Sequence, residues 1–388
     1  MMMKATHLPK LLLGGLMLAI LPAHAGDGFI WINVSIKCIV DPNTGATPSN
    51  MHDDVLRATF TDMNRWLANN YRGYRLRMVD MNANNTFKRI GALNDTFGPS
   101  YWYNINLKPD DPPSADLNNK NFEIAAKADK TAYGWNDNAI NLYFNNSGWS
   151  RANFPSSGRA VVISGYGIFD YVDTANPAET VAPSYKVAGN LLHEFGHFFE
   201  LYHTHQEDGM ADTAPDVPSP TDPTARDETY TRNQISQNAY GVNYSALSAA
   251  NKVLVDNSAN NAMSYHQLFY DNFATGKVVP DAERFGPTRF LFTELQMDRW
   301  GDYANDERFS VTSGHTIFVD RNDGGLSHDG SLADPYKALL DATISANPNG
   351  NDIILMRSGN YTTGSSGIIT KPVTLRATRQ GPVTITKP

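Results

Sequence analysis

The chain has 388 residues, one cysteine and a formal net charge of −8, from 32 Lys and Arg against 40 Asp and Glu. This length suffices for one or two buried cores, whereas the single cysteine, Cys38, excludes an intramolecular disulfide. The acidic balance argues against a nucleic acid or an anionic membrane surface as the partner.

The first 25 residues have the pattern of a secretory signal peptide. Lys4 and Lys10 supply the positive end, residues 11–21 form a short apolar run, and residues 23–25 form a small-x-small cleavage site. The run is too short to span a bilayer and no other segment is apolar enough, so we expect no integral membrane segment. Removing residues 1–25 takes away two lysines and no acidic residue, which changes the formal charge from −8 to −10. We predict secretion to an extracellular or periplasmic location.

Residues 26–186 have the pattern of a sheet with one long helix. Strand-like segments stand at 29–36, 74–79, 139–144 and 159–164, and a helix is predicted from about residue 50 to 67. Cys38 continues the first strand and is expected to be a buried strand residue. We expect one of the last two strands to lie at the sheet edge and border a cleft, where an extended peptide could add by main-chain hydrogen bonds.

The most informative segment reads His-Glu-Phe-Gly-His at residues 193–197 and is followed by His203. On a helix, His193 and His197 lie one turn apart on the same face, so both imidazoles can reach one Zn²⁺. Glu194 lies about 100° round the helix, where a carboxylate can take a proton from water at the metal. His203 supplies a third nitrogen and leaves the fourth position open, as in catalytic zinc sites.

The alternative interpretation is a buried helix that carries ordinary histidines. Apolar residues recur at helical spacing between residues 187 and 199, so one face packs into a core, and this packing is compatible with a metal site. The helix, predicted from 183 to about 199, must end before His203, because a straight continuation would place that histidine roughly 15 Å along the axis from His193. A different H-E-x-x-H clan, with a downstream glutamate as third ligand, is a further alternative.

This motif resembles the H-E-x-x-H-x-x-G-x-x-H signature of the metzincin metalloproteases, with Glu200 at the position of the glycine. A non-glycine residue with positive φ costs about 1–2 kcal/mol there. Residues 261–265, Asn-Ala-Met-Ser-Tyr, are similar to the Met-turn that metzincins place beneath the zinc, which would make Met263 the Met-turn residue. Tyr265 resembles the tyrosine that some metzincins place near the metal, where it would help to hold the oxyanion.

Further segments resemble the pappalysin/cytophagalysin family. They are residues 201–204, which we term the third-ligand loop, and residues 209–214 and 292–299. The three segments are similar to the family's continuation after the zinc helix, its Gly-Asp-x-x-x-Asp-Thr-Pro segment and its closing helix after the Met-turn. The cysteines that usually flank these segments are absent. The resemblance implies zinc-dependent hydrolysis of peptide bonds.

The loop between residues 205 and 230 is acidic and rich in proline. Its acidic residues are Glu207, Asp208, Asp212, Asp216, Asp222 and Asp227. A solvated loop is one interpretation, and a Ca²⁺ site is the alternative, because clustered carboxylates suit that hard cation.

After about residue 304 the composition changes to short β runs separated by Gly and Pro turns. The segments 316–320, 352–356, 367–370, 373–377 and 383–386 are strand-like, and 335–346 suits a short helix. This pattern resembles the opening of a right-handed parallel β-helix, as in pectate-lyase-like proteins. The run contains about two rungs, whereas solenoids generally need about three repeats for a continuous core.

Together these features predict an α+β metzincin-like protease domain, with a twisted, mostly parallel sheet, a zinc helix and a Met-turn, followed by a small β-helix-like module. The predicted boundaries are signal peptide 1–25, zinc metalloprotease domain 26–303, linker 304–313 and module 314–388. The expected function is that of a secreted zinc endopeptidase acting on proteins or peptides. The alternative is a surface-binding protein on a protease scaffold, with the C-terminal module recognising polysaccharide or a host surface.

Overall fold

The computed structural model describes residues 28–47, 53–82, 86–91, 101–104, 125–146, 150–152, 154–155, 160–163, 183–206, 208–218, 228–266, 291–363 and 369–386. The predicted signal peptide and the acidic residues Glu207, Asp222 and Asp227 lie outside these ranges. Within them, none of the helices combines the length and apolar character that a membrane crossing needs.

The N-terminal part of the chain forms a six-stranded sheet. Its strands are β1 (Ile30–Ile39), β2 (Tyr74–Val79), β3 (Lys88–Ile90), β4 (Ile140–Phe144), β5 (Ser150–Ala152) and β6 (Ala160–Ile163). The order is β2-β1-β4-β6-β5, and β3 pairs with the C-terminal end of β1. Every pair is parallel except β5 with β6, so the predicted mostly parallel sheet is confirmed.

The edge of the sheet differs from the prediction. Strand β4 lies at the centre and β6 is second from the edge, whereas the edge position belongs to β5, which runs antiparallel. The expectation that segment 139–144 or 159–164 would be the edge strand is therefore wrong. A three-residue strand that returns beside its neighbour carries too little periodicity to be recognised from sequence.

Helices cover both faces of the sheet. In chain order the helices of the whole chain include α1 (Asp53–Asn69), α2 (Tyr101–Asn104), α3 (Lys130–Tyr133), α4 (Pro183–Phe198), α5 (Glu228–Tyr240), α6 (Ala249–Ala259), α7 (Glu294–Asn305) and α8 (Leu339–Ser345). Alternate residues of β1 point to opposite faces, as strand geometry requires. Val34, Ile36 and Cys38 join the main core with α1 and α4, while Ile39 joins a second cluster with aromatic residues of α2 and α3.

Cys38 is fully buried in β1, as predicted. Burial raises the pKa of its thiol to about 12, because an apolar surrounding disfavours the thiolate. The residue therefore acts as a small apolar core side chain.

The segment 304–313, predicted as a linker, packs against the protease domain. Arg308 is buried, donates from Nε to the Phe198 carbonyl (3.0 Å), and its guanidinium lies 3.9 Å from the centre of the Phe198 ring. Val311 belongs to the main core, and Ser313 exchanges two hydrogen bonds with the main chain of Trp31. The segment is thus anchored at these three residues, while Asp306, Glu307, Phe309 and Ser310 are exposed, and its role as a linker stays a prediction.

The C-terminal segment forms two stacks of short parallel strands. They are β7 (Thr316–Val319), β8 (Ile353–Met356) and β10 (Thr374–Ala377) in one stack, and β9 (Gly359–Thr362) with β11 (Val383–Thr386) in the other. Segment 367–370 lies partly outside the described residues, and β9 was not predicted. The parallel stacking of successive strands agrees with a solenoid, and the assignment as the start of a β-helix stays a prediction.

This segment packs on the first two strands of the protease sheet. Ile353 is part of the main core, and the hydroxyl of buried Tyr74 lies 2.6 Å from Thr316 Oγ1. Gly73 has a φ of +83°, and a Cβ there would lie 2.4 Å from Ile353 Cδ1. Arg376 donates to the carbonyls of Tyr71 and Gly28. Residues some 300 positions apart thus share one interface.

Candidate metalloprotease active site

Helix α4 positions the first two histidines. Its apolar residues Leu191, Leu192 and Phe195 are fully buried in the main core, which fixes the rotation of the helix on the sheet. His193 and His197 follow one another by one turn and are 3% and 7% exposed. Both imidazoles are therefore held on one side of a rigid helix.

The chain turns sharply after this helix and brings the third histidine back. Glu200 has a φ of +64°, the left-handed conformation that the glycine position of the motif predicts. The Glu200 N–H donates to the His197 carbonyl and the Leu201 N–H to the Gly196 carbonyl, which is the pattern of a Schellman helix end. Tyr202 donates its hydroxyl to Glu200 Oε1 at 2.7 Å. This hydrogen bond favours a structural role for the Glu200 carboxylate over metal binding.

Three imidazoles then meet. Nε2 of His203 lies 3.0 Å from Nε2 of His193 and 3.0 Å from Nε2 of His197. These three residues are the only group of three or more potential metal ligands among the described residues. A tetrahedral zinc ion with Zn–N distances of about 2.0–2.1 Å separates its nitrogen ligands by a similar amount, about 3.3–3.4 Å.

The other ring nitrogens determine the tautomer. Nδ1 of His193 donates to the Ala262 carbonyl (2.8 Å), Nδ1 of His197 to the Leu201 carbonyl (2.7 Å), and Nδ1 of His203 to Gln206 Oε1 (2.8 Å). Because an oxygen accepts at each Nδ1, the proton is held there and all three Nε2 lone pairs face a common point. Such lone pairs repel one another unless a cation lies between them, and outer hydrogen bonds of this kind are typical of metal-bound histidines.

The electrostatic environment keeps His193 and His197 neutral. Burial lowers the pKa of His197 to about 3, with repulsion from His203 adding to the effect, and lowers the pKa of His193 well below its ordinary value. Neutral imidazole is the form that binds a metal ion. The donor set and its protonation therefore fit a zinc ion.

Glu194 and Tyr265 lie beside this cluster. Glu194 is 6% exposed and follows His193 directly on the helix. The Tyr265 ring is centred 4.6 Å from the ring of His203 and 5.9 Å from that of His193. Both residues predicted to be catalytic thus lie beside the three histidines.

The Met-turn lies directly under the helix. Met263 is fully buried, and a Cβ on Gly196 would lie 2.3 Å from its sulfur, so this glycine is required for the contact. The turn is held by Asn261, whose Oδ1 accepts from the Met263 N–H (2.8 Å). The carbonyl of Ala262, within the same turn, is the acceptor for His193.

Several neighbours of the site were not predicted from sequence. Phe154, just after the edge strand, stacks on Tyr202 (4.9 Å) and lies 5.0 Å from the ring of His197. Asp216, which was predicted only as part of an acidic loop, contacts both the third-ligand loop and the Met-turn. Neither residue belongs to a periodic pattern or a motif, so no local signal marks them.

The described acidic residues of the loop serve internal contacts. Asp212 accepts from the Thr293 hydroxyl (2.8 Å) and the Leu295 N–H (3.0 Å) at the start of α7. Asp208 accepts from the Thr213 hydroxyl and the Met210 N–H. These bonds favour a structural role for the two carboxylates, and a Ca²⁺ site in this loop stays a prediction.

The fold, the helix end and the histidine cluster define a metalloprotease of the metzincin type. Residues 132–283 match the peptidase family model described as pregnancy-associated plasma protein-A, and this range includes both the histidine motif and the Met-turn. The resemblance to pappalysins stated from the sequence is thereby confirmed over that range, and with it the proteolytic class of the chain.

Two solved structures are similar to the chain. Mirolysin in complex with compound 9 is 16% identical, with 73% of this chain and 96% of that chain covered and a TM-score of 0.39. A promirolysin variant from Tannerella forsythia is also 16% identical, with 74% and 85% covered and a TM-score of 0.38. No curated protein matches the chain.

Proposed function

We propose that the chain is a secreted zinc endopeptidase in which His193, His197 and His203 hold the metal. The observation that carries the proposal is the convergence of three deprotonated Nε2 atoms, each fixed by an oxygen acceptor at Nδ1. The glutamate next to the first of these histidines supplies the base that peptide hydrolysis needs. The predicted signal peptide supports secretion.

In this mechanism zinc, when bound, acidifies a water molecule and polarises the carbonyl of the scissile bond. Glu194 takes the proton of the attacking water and passes it to the leaving amine as the C–N bond breaks. Tyr265, close to His203, donates a hydrogen bond to the oxyanion. The substrate is a peptide in extended form, which adds to the edge strand β5 by main-chain hydrogen bonds.

The general base is tested with Glu194→Gln. We expect the variant to bind zinc like the parent, because all three histidines remain, and to lose casein hydrolysis by about 10²–10⁴-fold. Zinc content by elemental analysis and turnover of casein are measured on the same samples, with the exposed Glu307→Gln as the control. A Glu194→Gln protein that keeps more than a few per cent of the parent rate would contradict this role.

We also propose that residues 314–388 form a module that is structurally part of the enzyme. The contacts of Ile353 and Thr316 with the protease sheet support this over a freely attached surface-binding module. A chain ending at Gly314 exposes to water the apolar surface that Ile353 covers in the full chain, which costs about 25 cal/mol per Å². We expect it to melt several degrees below the full chain and to keep turnover of short peptides. Equal midpoints would mean an independent module, and binding of polysaccharide by the full chain alone would support the surface-binding alternative.

A further inference from the structure

Asp216 is a fully buried carboxylate that the mechanism above does not use. Its side chain has no exposed surface, although the loop that carries it is acidic and rich in proline. A buried carboxylate is costly unless several donors surround it. The partners of Asp216 are therefore informative about its role.

Asp216 joins two segments of the site that are separate in sequence. Its Oδ2 accepts from the Thr204 hydroxyl (2.8 Å) and from the Ser264 hydroxyl (2.7 Å). Thr204 directly follows the third histidine, and Ser264 stands between Met263 and Tyr265. One carboxylate oxygen thus accepts from Thr204, next to the proposed metal ligand His203, and from Ser264, next to the proposed oxyanion donor Tyr265.

Further contacts close this bridge. Asp216 Oδ1 accepts from the Val217 N–H (2.7 Å) and lies 3.1 Å from Nε2 of buried His266, without hydrogen-bond alignment. The Asp216 N–H donates to the Thr204 carbonyl, and the Thr204 N–H donates to the Met263 carbonyl, both at 3.4 Å. The third-ligand loop and the Met-turn are therefore linked through both side chains and main chain.

We propose that Asp216 is a positioning residue, which sets the place of His203 and Tyr265 relative to the other two histidines. The proposal rests on the proposed function, since it assigns the purpose of the bridge to metal binding and catalysis. Two hydroxyl donors can converge on one oxygen only if that oxygen accepts from both, which a carboxylate does without a competing donor of its own. An asparagine at this position keeps the size but loses the charge, and its N–H₂ group must face either the two hydroxyls or the Val217 N–H.

The test compares Asp216→Asn with Asp208→Asn in the full chain. Asp208 is a matched control, because it is a buried carboxylate of the same loop that also accepts from a threonine hydroxyl and a main-chain N–H. Zinc affinity is measured by competition with a chelator, well below the melting midpoint of each variant. The visible spectrum of the Co²⁺-substituted protein reports the ligand geometry independently of activity.

We expect Asp216→Asn to lower zinc affinity by about 10–100-fold and to alter the Co²⁺ spectrum, whereas Asp208→Asn keeps both. Ser264→Ala, which leaves the carboxylate in place, should lower zinc affinity in the same direction by a smaller factor, and this variant decides the matter if Asp216→Asn does not fold. Parent-like affinity and spectrum in both Asp216→Asn and Ser264→Ala would overturn the proposal while leaving the proposed function intact. A parent chain that binds no stoichiometric zinc would overturn the proposed function and this inference with it.

Discussion

Two buried polar centres of the molecule both contain basic groups with lowered pKa values, but they differ in how their polar atoms are hydrogen-bonded. The first is the cluster of His193 and His197 on α4 with His203 beyond the turn that follows it. The second, which we term the lysine centre, consists of buried Lys37, Asn141 and Ser35, with half-buried Asn136 and exposed Asp80 at its edge. Both combine burial with a lowered pKa: burial lowers the pKa of Lys37 to about 6, and that of His197 to about 3.

What separates the two centres is how their polar atoms are satisfied. In the lysine centre, Lys37 Nζ donates to Asn141 Oδ1 (2.6 Å), and the Asn141 amide donates to the Asn136 and Ala139 carbonyls. In the histidine cluster the lone pairs of three Nε2 atoms face one another. A perturbed pKa therefore does not by itself mark a functional site. A group of acceptors that face one another with no donor among them does mark a functional site, because only an added cation satisfies all of these acceptors.

The largest effect is expected from removing one of these convergent lone pairs. His203→Ala leaves two protein ligands where catalytic zinc sites have three. Zinc affinity should fall by more than the roughly 10–100-fold that the loss of a hydrogen-bond partner of a ligand costs. Chelator competition measures this, with the partly exposed His315→Ala as control. Unchanged affinity in His203→Ala, together with a loss in a Glu200 variant, would move the ligand assignment to that glutamate.

The lysine centre should affect stability and its pH dependence. Burial, followed by repulsion from Lys88, lowers the pKa of Lys37 from 10.5 to about 6. Between these values the unfolded chain binds a proton that the folded chain does not, so the stability of the parent falls as the pH falls through this window. Lys37→Met removes this pH-dependent loss of stability, while Asn141 Oδ1 still accepts from the Asn136 N–H.

We therefore expect Lys37→Met to melt above the parent, by a margin that widens as the pH falls from about 10 to about 6 and is constant below. The margin should reach several degrees, since about 1 kcal/mol corresponds to roughly 2–4 °C in a domain of this size. Melting curves across this range measure the margin, and Lys337→Met, at an exposed position, is the control. A margin that does not change with pH would show that Lys37 is charged in the folded protein.

The smallest effect concerns the turn between the second and third histidines. Glu200→Gly removes the strain of a positive φ, worth about 1–2 kcal/mol, but loses the hydrogen bond from Tyr202. Glu200→Ala loses the same bond and keeps the Cβ, so we expect the glycine variant to melt about 2–8 °C above the alanine variant. Activity in both should stay within about twofold of the parent. An alanine variant as stable as the glycine variant would mean that the turn relaxes without cost.

Local spacing allowed much of the site to be predicted before the structure. His193 and His197 at i and i+4 and a third histidine beyond a turn follow from helix geometry and the spacing of the motif. The left-handed residue at position 200 was implied by the resemblance to metzincins, which have glycine there. The long strands and helices were predicted in the same way, because a buried face repeats along a regular element. Such signals are contained within about ten consecutive residues.

The tertiary structure decided the rest, because those contacts join segments whose separate sequences carry no joint pattern. The Ala262 carbonyl, 69 positions from His193, fixes its tautomer, and Asp216 links Thr204 to Ser264. The position of β5 at the sheet edge and the packing of residues 304–313 depend in the same way on which surfaces are left to cover once the main core has formed. Sequence spacing specifies which residue types can bind a metal, whereas the packing of distant segments determines how firmly they are held.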